Sequence, residues 1–210
     1  TYAKPLGSKC NIERVDLLGV IQDFPLPGSA YDAEIEASTP KAFWKLDETT
    51  GVQLLDSSGN GFHGVRDNGE AADPLLFGGQ HSFNAPHVGD NRGQYSGGGL
   101  PTGAPCSLEA WVRTTRDVAA VKTIIAAQRD YTLGSALWLQ IETSLTGSPN
   151  GELVINFFGL GGSYKARGHT RIDDNRPHHV VCTIGSTAAA DILLYVDGVL
   201  QTKTVVSGTT

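Results

Sequence analysis

Three oxygen-bearing side chains stand near a glycine-rich turn, and oxygen atoms are the ligands that a calcium ion prefers. Asp47, Asp56 and Asn60 lie in the stretch "LDETTGVQLLDSSGNG". Calcium binds six to eight oxygens, so backbone carbonyls and water would have to complete a site here. The same residues also shape a bend, because Asp and Asn side chains bond neighbouring amides while Gly59 and Gly61 accept positive φ. The pattern therefore favours a structural turn, with calcium as the alternative.

Histidine and cysteine offer the other familiar metal ligands. His178 and His179 are adjacent in an apolar, strand-like stretch. Neighbouring residues of a strand point to opposite faces, so the pair is not expected to share one metal or to transfer a proton together. The three cysteines, Cys10, Cys106 and Cys182, contain no C-x-x-C pair. They are predicted to be small buried thiols, and the prediction leaves no cofactor beyond the possible calcium.

A third group of residues has the composition of a sugar-binding surface. Aromatic rings cover the apolar faces of pyranoses, while amides and carboxylates bond the hydroxyl groups. Six candidate carbohydrate-binding residues lie on or just after one predicted hairpin: Trp138, Gln140, Glu142, Asn156, Phe158 and Tyr164. The competing interpretation is that a second layer or a neighbouring subunit covers this aromatic face.

The elements that must position these residues are strands. "ALWLQIE" (136–142) and "ELVINFF" (152–158) alternate with period two and flank the turn "TGSPNG", which predicts a hairpin. The residues predicted to face the core are Leu137, Leu139, Ile141, Leu153, Ile155 and Phe157. Asp197-Gly198 between apolar runs predicts a second hairpin. Further strands without intervening helices indicate an all-β sandwich of two antiparallel sheets over residues 42–206.

The N-terminal part of the sequence predicts a linker, short helices and short strands. "DFPLPGS" (23–29) has the composition of a linker, and short helices are expected near 15–20 and 31–38, the second ending before Pro40. "AFWKL" (42–46) and "VQLLD" (52–56) are predicted to be short strands. Residues 1–25 are expected to pack poorly against the sandwich and to belong to another domain or a neighbouring chain.

Charge and hydropathy narrow the classes of partner. The 210 residues carry 16 basic and 22 acidic side chains, a formal charge of -6. That balance provides no basic surface for a phosphate backbone, so nucleic acid is not an expected ligand. No apolar run approaches the roughly 20 residues of a membrane-spanning helix, so membrane insertion is not expected.

Several of these stretches resemble one family in the order in which they occur. "FWKLDETTGVQLLDSSGNGFHG" (43–64), "SLEAWVRT" (107–114) and "PHHVVCTIGSTAAADILLYVDGVLQ" (177–201) are similar to laminin-G-like domains of the concanavalin A-like lectin/glucanase superfamily. The resemblance implies a jelly-roll fold over roughly residues 30–210, in which the histidine pair is structural. Pro177 departs from the family, where tryptophan is usual, so the packing there must be made differently.

The join upstream of this domain resembles a more particular setting. "PLPGSAYDAEIEASTPKAFWKLDE" is similar to the junction between a tail-hub domain and a laminin-G-like domain in minor tail proteins of tailed phages that infect actinobacteria. The resemblance implies that residues 1–28 end a preceding, hub-like domain plus linker. Residues 29–210 would then form the laminin-G-like domain, incomplete at its C-terminal end because further strands follow in the family.

Hydrolysis of glycosidic bonds is the enzymatic alternative, since glucanases share this fold. It requires two carboxyl groups facing one cleft. Retaining glucanases of the fold carry alternating acids on one strand, whereas "SLEAWV" supplies only Glu109. No G-x-S-x-G nucleophile motif occurs either. The sequence therefore predicts a domain that is not an enzyme.

The resemblance implies a phage minor tail protein at the virion tail tip, outside the cell, that binds a host cell-envelope glycan during adsorption. Other tail-tip proteins and further copies of the chain would be its partners. Two alternatives stay open: a purely structural tail-tip domain, and a secreted bacterial carbohydrate-binding module.

Overall fold

The computed structural model describes residues 14–15, 21–22, 29–48, 50–66, 93–95, 99–100, 105–113, 122–130, 135–142, 151–159, 162–186 and 188–208. The chain divides into two compact units, Thr1–Gly99 and Leu100–Thr210. Among the described residues no helix is both long and apolar enough to cross a membrane. The domain boundary expected between residues 28 and 29 stays a prediction.

In the part of the first unit that the structure describes, all the elements are short. They are the antiparallel pair β1 (Arg14–Val15) and β2 (Ile21–Gln22), the helix α1 (Ser29–Ala37), and a three-stranded antiparallel sheet of β3 (Gln53–Leu54), β4 (Gly64–Arg66) and β5 (Gly93–Gln94), in that order. The helix expected at 31–38 is confirmed within two residues. It ends where Thr39 adopts a φ of 54° ahead of Pro40. The helix expected near 15–20 falls largely outside the described residues.

The strand predicted for "AFWKL" is wrong. Only Trp44 forms an isolated bridge, to Asp56, and Leu46 adopts a φ of 58°, which no extended strand accommodates. The strand predicted for "VQLLD" is reduced to β3. Side-chain bonds rather than sheet pairing therefore hold this segment.

The second unit is the all-β sandwich. One sheet has five strands in the order β14-β10-β9-β8-β7 and the other has four in the order β13-β12-β11-β6, with every pair antiparallel. The strands are β6 (Cys106–Val112), β7 (Lys122–Asp130), β8 (Ser135–Glu142), β9 (Glu152–Gly159), β10 (Gly162–Arg171), β11 (His178–Ile184), β12 (Ile192–Val196), β13 (Val199–Leu200) and β14 (Thr204–Gly208). Over residues 105–113, 122–130, 135–142, 151–159, 162–186 and 188–208, the sole helix is the single 3-10 turn Ala189–Asp191.

The two inner faces make the core. One sheet contributes Leu139, Ile141, Leu153, Ile155 and Ala166, and the other contributes Val180, Cys182, Ile184, Ile192, Leu194 and Val196. Both predicted hairpins are confirmed: β8 pairs with β9, and β12 turns into β13 through Asp197 and Gly198 with φ of 52° and 74°. Two positive φ values are what the favoured two-residue hairpin turn requires.

Candidate functional site

The glycine-rich turn is organised by the Asp56 carboxylate, which is buried. Its Oδ1 accepts the amide hydrogens of Phe43 (2.8 Å) and Ser58 (3.0 Å), and its Oδ2 accepts the Phe62 amide (3.0 Å) and the Ser58 hydroxyl (2.8 Å). Burial alone would raise the pKa of Asp56, but these donors outweigh it and lower the pKa to about 2. Hydrogen-bond donors thus surround the oxygens that a cation would need.

The other two predicted calcium ligands are placed differently. Asn60 is exposed and its Nδ2 donates to the carbonyls of Pro40 (3.3 Å) and Lys41 (3.1 Å), which ties the turn to the segment after the helix. Asp47 is exposed. Over the described residues no group of three His, Cys, Asp or Glu side chains is arranged to hold a metal ion. The turn has a structural explanation that needs no metal.

The predicted carbohydrate-binding residues lie on β8, β9 and β10. Trp138 is in register with Asn156, and Glu142 with Glu152, so the backbone places them side by side on one sheet face. On that face Asn156 Nδ2 donates to Gln140 Oε1, joining the two predicted amides. The side chains of Trp138, Glu142 and Phe158 are outside what the structure describes, and their roles stay predictions.

This hairpin face is covered where the structure describes it. Val154 is 1% exposed, Asn156 8% and Glu152 2%. Tyr164 does not lie on this face: it is the register partner of Phe157, belongs to the hydrophobic core cluster, and its buried hydroxyl has no hydrogen-bond partner among the described residues. The expected shallow, solvent-open sugar site is not what these residues form, because the alternating pattern reports the two faces of a strand but not what covers them.

A partly exposed aromatic surface lies on the other sheet, and the sequence alone does not reveal it. Ala110 and Val112 of β6 pack toward the core, so the alternate residues of β6 point outward. Strand register then aligns a row across all four strands: Glu109 beside Val181, Val181 beside Tyr195, and Tyr195 beside Leu200. We call this the outer face; it consists of Glu109, Trp111, His179, Val181, Tyr195 and Leu200.

Exposure distinguishes the outer face from the hairpin face. Leu200 is 54% exposed and Glu109 is exposed, while the other members of the outer face are half-buried rather than covered. The outer face thus leaves parts of an indole and a phenol ring accessible beside a carboxylate, although the Trp111 Nε1 atom is buried.

The polar part of the outer face is held in one geometry. His179 Nε2 lies 2.8 Å from Glu109 Oε1, and the His179 ring is tilted by 35° over Trp111 with the centroids 5.2 Å apart. His179 and Trp111 are also register partners on adjacent strands. Cross-strand pairs of this kind fix both side chains, so the indole is oriented before any ligand arrives.

The histidine pair points to opposite faces, as predicted. While His179 joins the outer face, His178 is buried between Asp174 and Asp197.

Of the three cysteines, Cys10 lies outside the described residues. Cys182 is fully buried, and burial, together with the nearby Cys106, raises its pKa to about 12; burial likewise raises the pKa of Cys106. The prediction of buried thiols is confirmed for Cys182, while Cys106 is half-buried.

The comparison with protein families agrees with this architecture. The family model Laminin_G_3, described as concanavalin A-like lectin/glucanases superfamily, matches residues 77–210. The chain belongs to this superfamily. Searches of curated proteins and of solved structures found no significant match.

Proposed function

We propose that this domain binds carbohydrate without catalysing its hydrolysis, and that the outer face is the binding surface. The superfamily match supports a lectin-like role. The observation that carries the proposal is the oriented group of Trp111, His179 and Glu109, with Tyr195 two strands away on the same face. A ring gives a pyranose its apolar floor, and the carboxylate and imidazole bond its hydroxyls.

The proposal that the domain does not hydrolyse its ligand rests on the acidic residues of β6. Glu109 is the single acid of β6, and it is bonded to His179 rather than facing a second carboxylate across a cleft. A glycosidase of either stereochemical class needs two such carboxyl groups with defined separations. Binding without chemistry is therefore the function that the outer face fits.

The biological setting is proposed from the resemblance of residues 25–48 to the junction in phage minor tail proteins. There the domain would stand at the virion tail tip and bind a cell-envelope glycan of the host. A shallow face of this kind binds weakly, but several copies on one particle raise the overall affinity through effective concentration. The domain's other partners in this proposal are tail-tip proteins and further copies of the chain.

A packing role is a second candidate for the hairpin face specifically. Val154 and Glu152 are nearly inaccessible there although they point away from the sandwich core. Because a single chain already covers these side chains, they pack within the molecule and do not form an open platform for a sugar. The two faces can be tested separately, because each carries one tryptophan.

The test is a pull-down of the 210-residue chain with insoluble actinobacterial cell-wall polysaccharide. Trp111→Ala is expected to weaken retention at least about tenfold, the loss of about 1.4 kcal/mol that an aromatic contact at the centre of a binding face contributes. Trp138→Ala is the matched control and is expected to bind as the unsubstituted chain does. The reverse result, with Trp138→Ala alone abolishing retention, would move the site to the hairpin face. No retention of any variant would favour the structural tail-tip domain.

A further inference from the structure

His178 is held between two carboxylates at the start of β11. Its Nδ1 lies 2.7 Å from Asp197 Oδ2, its Nε2 lies 3.0 Å from Asp174 Oδ1, and the residue is 8% exposed. A neutral imidazole has one N–H donor, and an ionised carboxylate only accepts. Both contacts are therefore hydrogen bonds only when the ring carries two protons and a positive charge.

The two carboxylates belong to different segments. Asp174 lies in the connection from β10 to β11, and Asp197 begins the turn from β12 to β13. Asp197 is anchored twice more, since its Oδ1 accepts the His179 amide (2.9 Å) and its own amide donates to the His179 carbonyl (2.8 Å). Protonated His178 thus joins a loop, a hairpin turn and the strand end that carries His179.

We propose that His178 is a protonation-dependent clamp, in which the imidazolium ties Asp174 to the Asp197 turn and the neutral ring releases Asp174. Asp174 is the one released because its side chain is 42% exposed, against 27% for Asp197, and it lacks the two backbone bonds that hold Asp197. His178 is adjacent to His179, so the protonation of the clamp also affects sugar binding at the outer face. This effect on binding, unlike the clamp itself, rests on the proposed function.

Three other charged residues lie near the clamp without contacting the His178 ring. Arg176 donates its amide to Asp174 Oδ1 (2.9 Å), and its Nε is 3.8 Å from Asp174 Oδ2. Arg113 of the β6 end donates Nε–H to the carbonyl and side-chain oxygens of Asn175. On the opposite side of the strand Glu109 faces His179 rather than His178. The two aspartates are thus the groups in direct contact with the ring.

The pH at which the clamp opens depends on how its surroundings change the pKa of His178. Burial lowers the pKa of His178, but the bonds and charges of Asp197 and Asp174 outweigh it and raise the pKa above the usual value. A raised pKa in the folded state adds stability that is complete below about pH 6.5, the ordinary histidine value. That stability is lost as the pH rises through the folded-state pKa, so the clamp opens on the alkaline side.

The decisive experiment is an NMR titration of the imidazole signals of the intact chain, with the His178 signal assigned by its loss in His178→Gln. His178 is expected to titrate above the ordinary histidine value, and Asp174→Asn is expected to lower its pKa. Glu109→Gln is the matched control: it removes the carboxylate next to the neighbouring ring and should leave the His178 titration in place. A His178 pKa at or below 6.5, or one that Asp174→Asn leaves unchanged, would overturn the proposal.

Amide exchange and binding give two further readouts. Exchange of the Arg176 amide, which donates to Asp174 Oδ1, should accelerate once the pH exceeds the measured His178 pKa. The increase should exceed the one that base-catalysed exchange gives over the same pH range at a core amide such as that of Val180. Retention on actinobacterial cell-wall polysaccharide should fall over the same range. A chain that titrates as expected but binds no polysaccharide at any pH refutes the proposed function and leaves the clamp standing. Binding that is independent of pH across the titration refutes the link between the clamp and the outer face.

Discussion

Removing the Asp56 carboxylate should loosen the glycine-rich turn by an amount that its bonds determine. Asp56→Ala deletes acceptors for four donors at 2.8–3.0 Å. The two bonds from Ser58 are local, and water replaces them readily. The bonds from the amides of Phe43 and Phe62 bridge 13 and 6 residues and hold separate segments together. At about 1.5 kcal/mol for each bond to a charged group, these two contribute about 3 kcal/mol.

Hydrogen exchange measures this locally. A loss of about 3 kcal/mol corresponds to roughly 100-fold faster exchange of the Phe43 and Phe62 amides. Asp47→Ala, which removes an exposed carboxylate of the same segment, is the matched control and should change neither rate. The reasoning is refuted if Asp56→Ala leaves both amides as protected as before, because the carboxylate would then not be holding them.

The same turn separates the structural interpretation from calcium binding. Because the pKa of Asp56 is lowered to about 2, the stability that the carboxylate contributes is complete above its ordinary pKa near 4 and is lost as the pH falls toward 2. Millimolar calcium chloride, compared with EDTA, is expected to leave the exchange of these amides unchanged. Slower exchange that depends on both calcium and Asp56 would instead show a metal site, since a ligand of the folded state stabilises it.

Three further predictions concern the sandwich. Gly151→Ala should lower stability by at least about 2 kcal/mol in urea denaturation, because φ there is +92° and a Cβ would lie 2.2 Å from the buried Asp173 side chain; a neutral result would contradict the close approach. Gln201→Ala should lower stability by about 1–2 kcal/mol, since its Oε1 accepts the Thr170 amide (3.1 Å), and unchanged protection of that amide would contradict the bond. Cys182 should resist iodoacetamide in the folded chain at pH 8 and react only on unfolding, because burial is the largest reason that its pKa is about 12; prompt labelling in the native state would contradict its burial.

Local chemistry made much of the fold predictable from the sequence. Asp197-Gly198 between apolar runs specifies a hairpin turn by itself, and period two in β9 separates Leu153 and Ile155 from the polar residues Glu152 and Asn156. The bend at Asp56 was readable for the same reason, since an Asp next to glycines bonds nearby amides. "AFWKL" failed as a strand because its partners are side chains and turns: the Trp44 indole donates to the Phe62 carbonyl at 2.9 Å.

Non-local pairing explains what the sequence did not reveal. Trp111 and His179 are 68 positions apart, and nothing in either stretch says that β6 and β11 are neighbours. Without that pairing, the outward residues of β6, β11 and β12 do not form one surface. The burial of Asn156 is likewise a tertiary property, because period two separates the two faces of β9 without showing which of them is covered.

The central claim is that the outer face binds sugar, and a footprint on the unsubstituted chain tests it most directly. Soluble fragments of actinobacterial cell-wall polysaccharide would be titrated into isotope-labelled protein, following backbone and tryptophan indole signals. The account predicts saturable shifts concentrated at Trp111, His179 and Tyr195, with the Trp138 indole signal unmoved. Shifts confined to β8 and β9 would contradict it. So would the absence of any saturable shift, if the chain is retained on the intact polysaccharide in the pull-down.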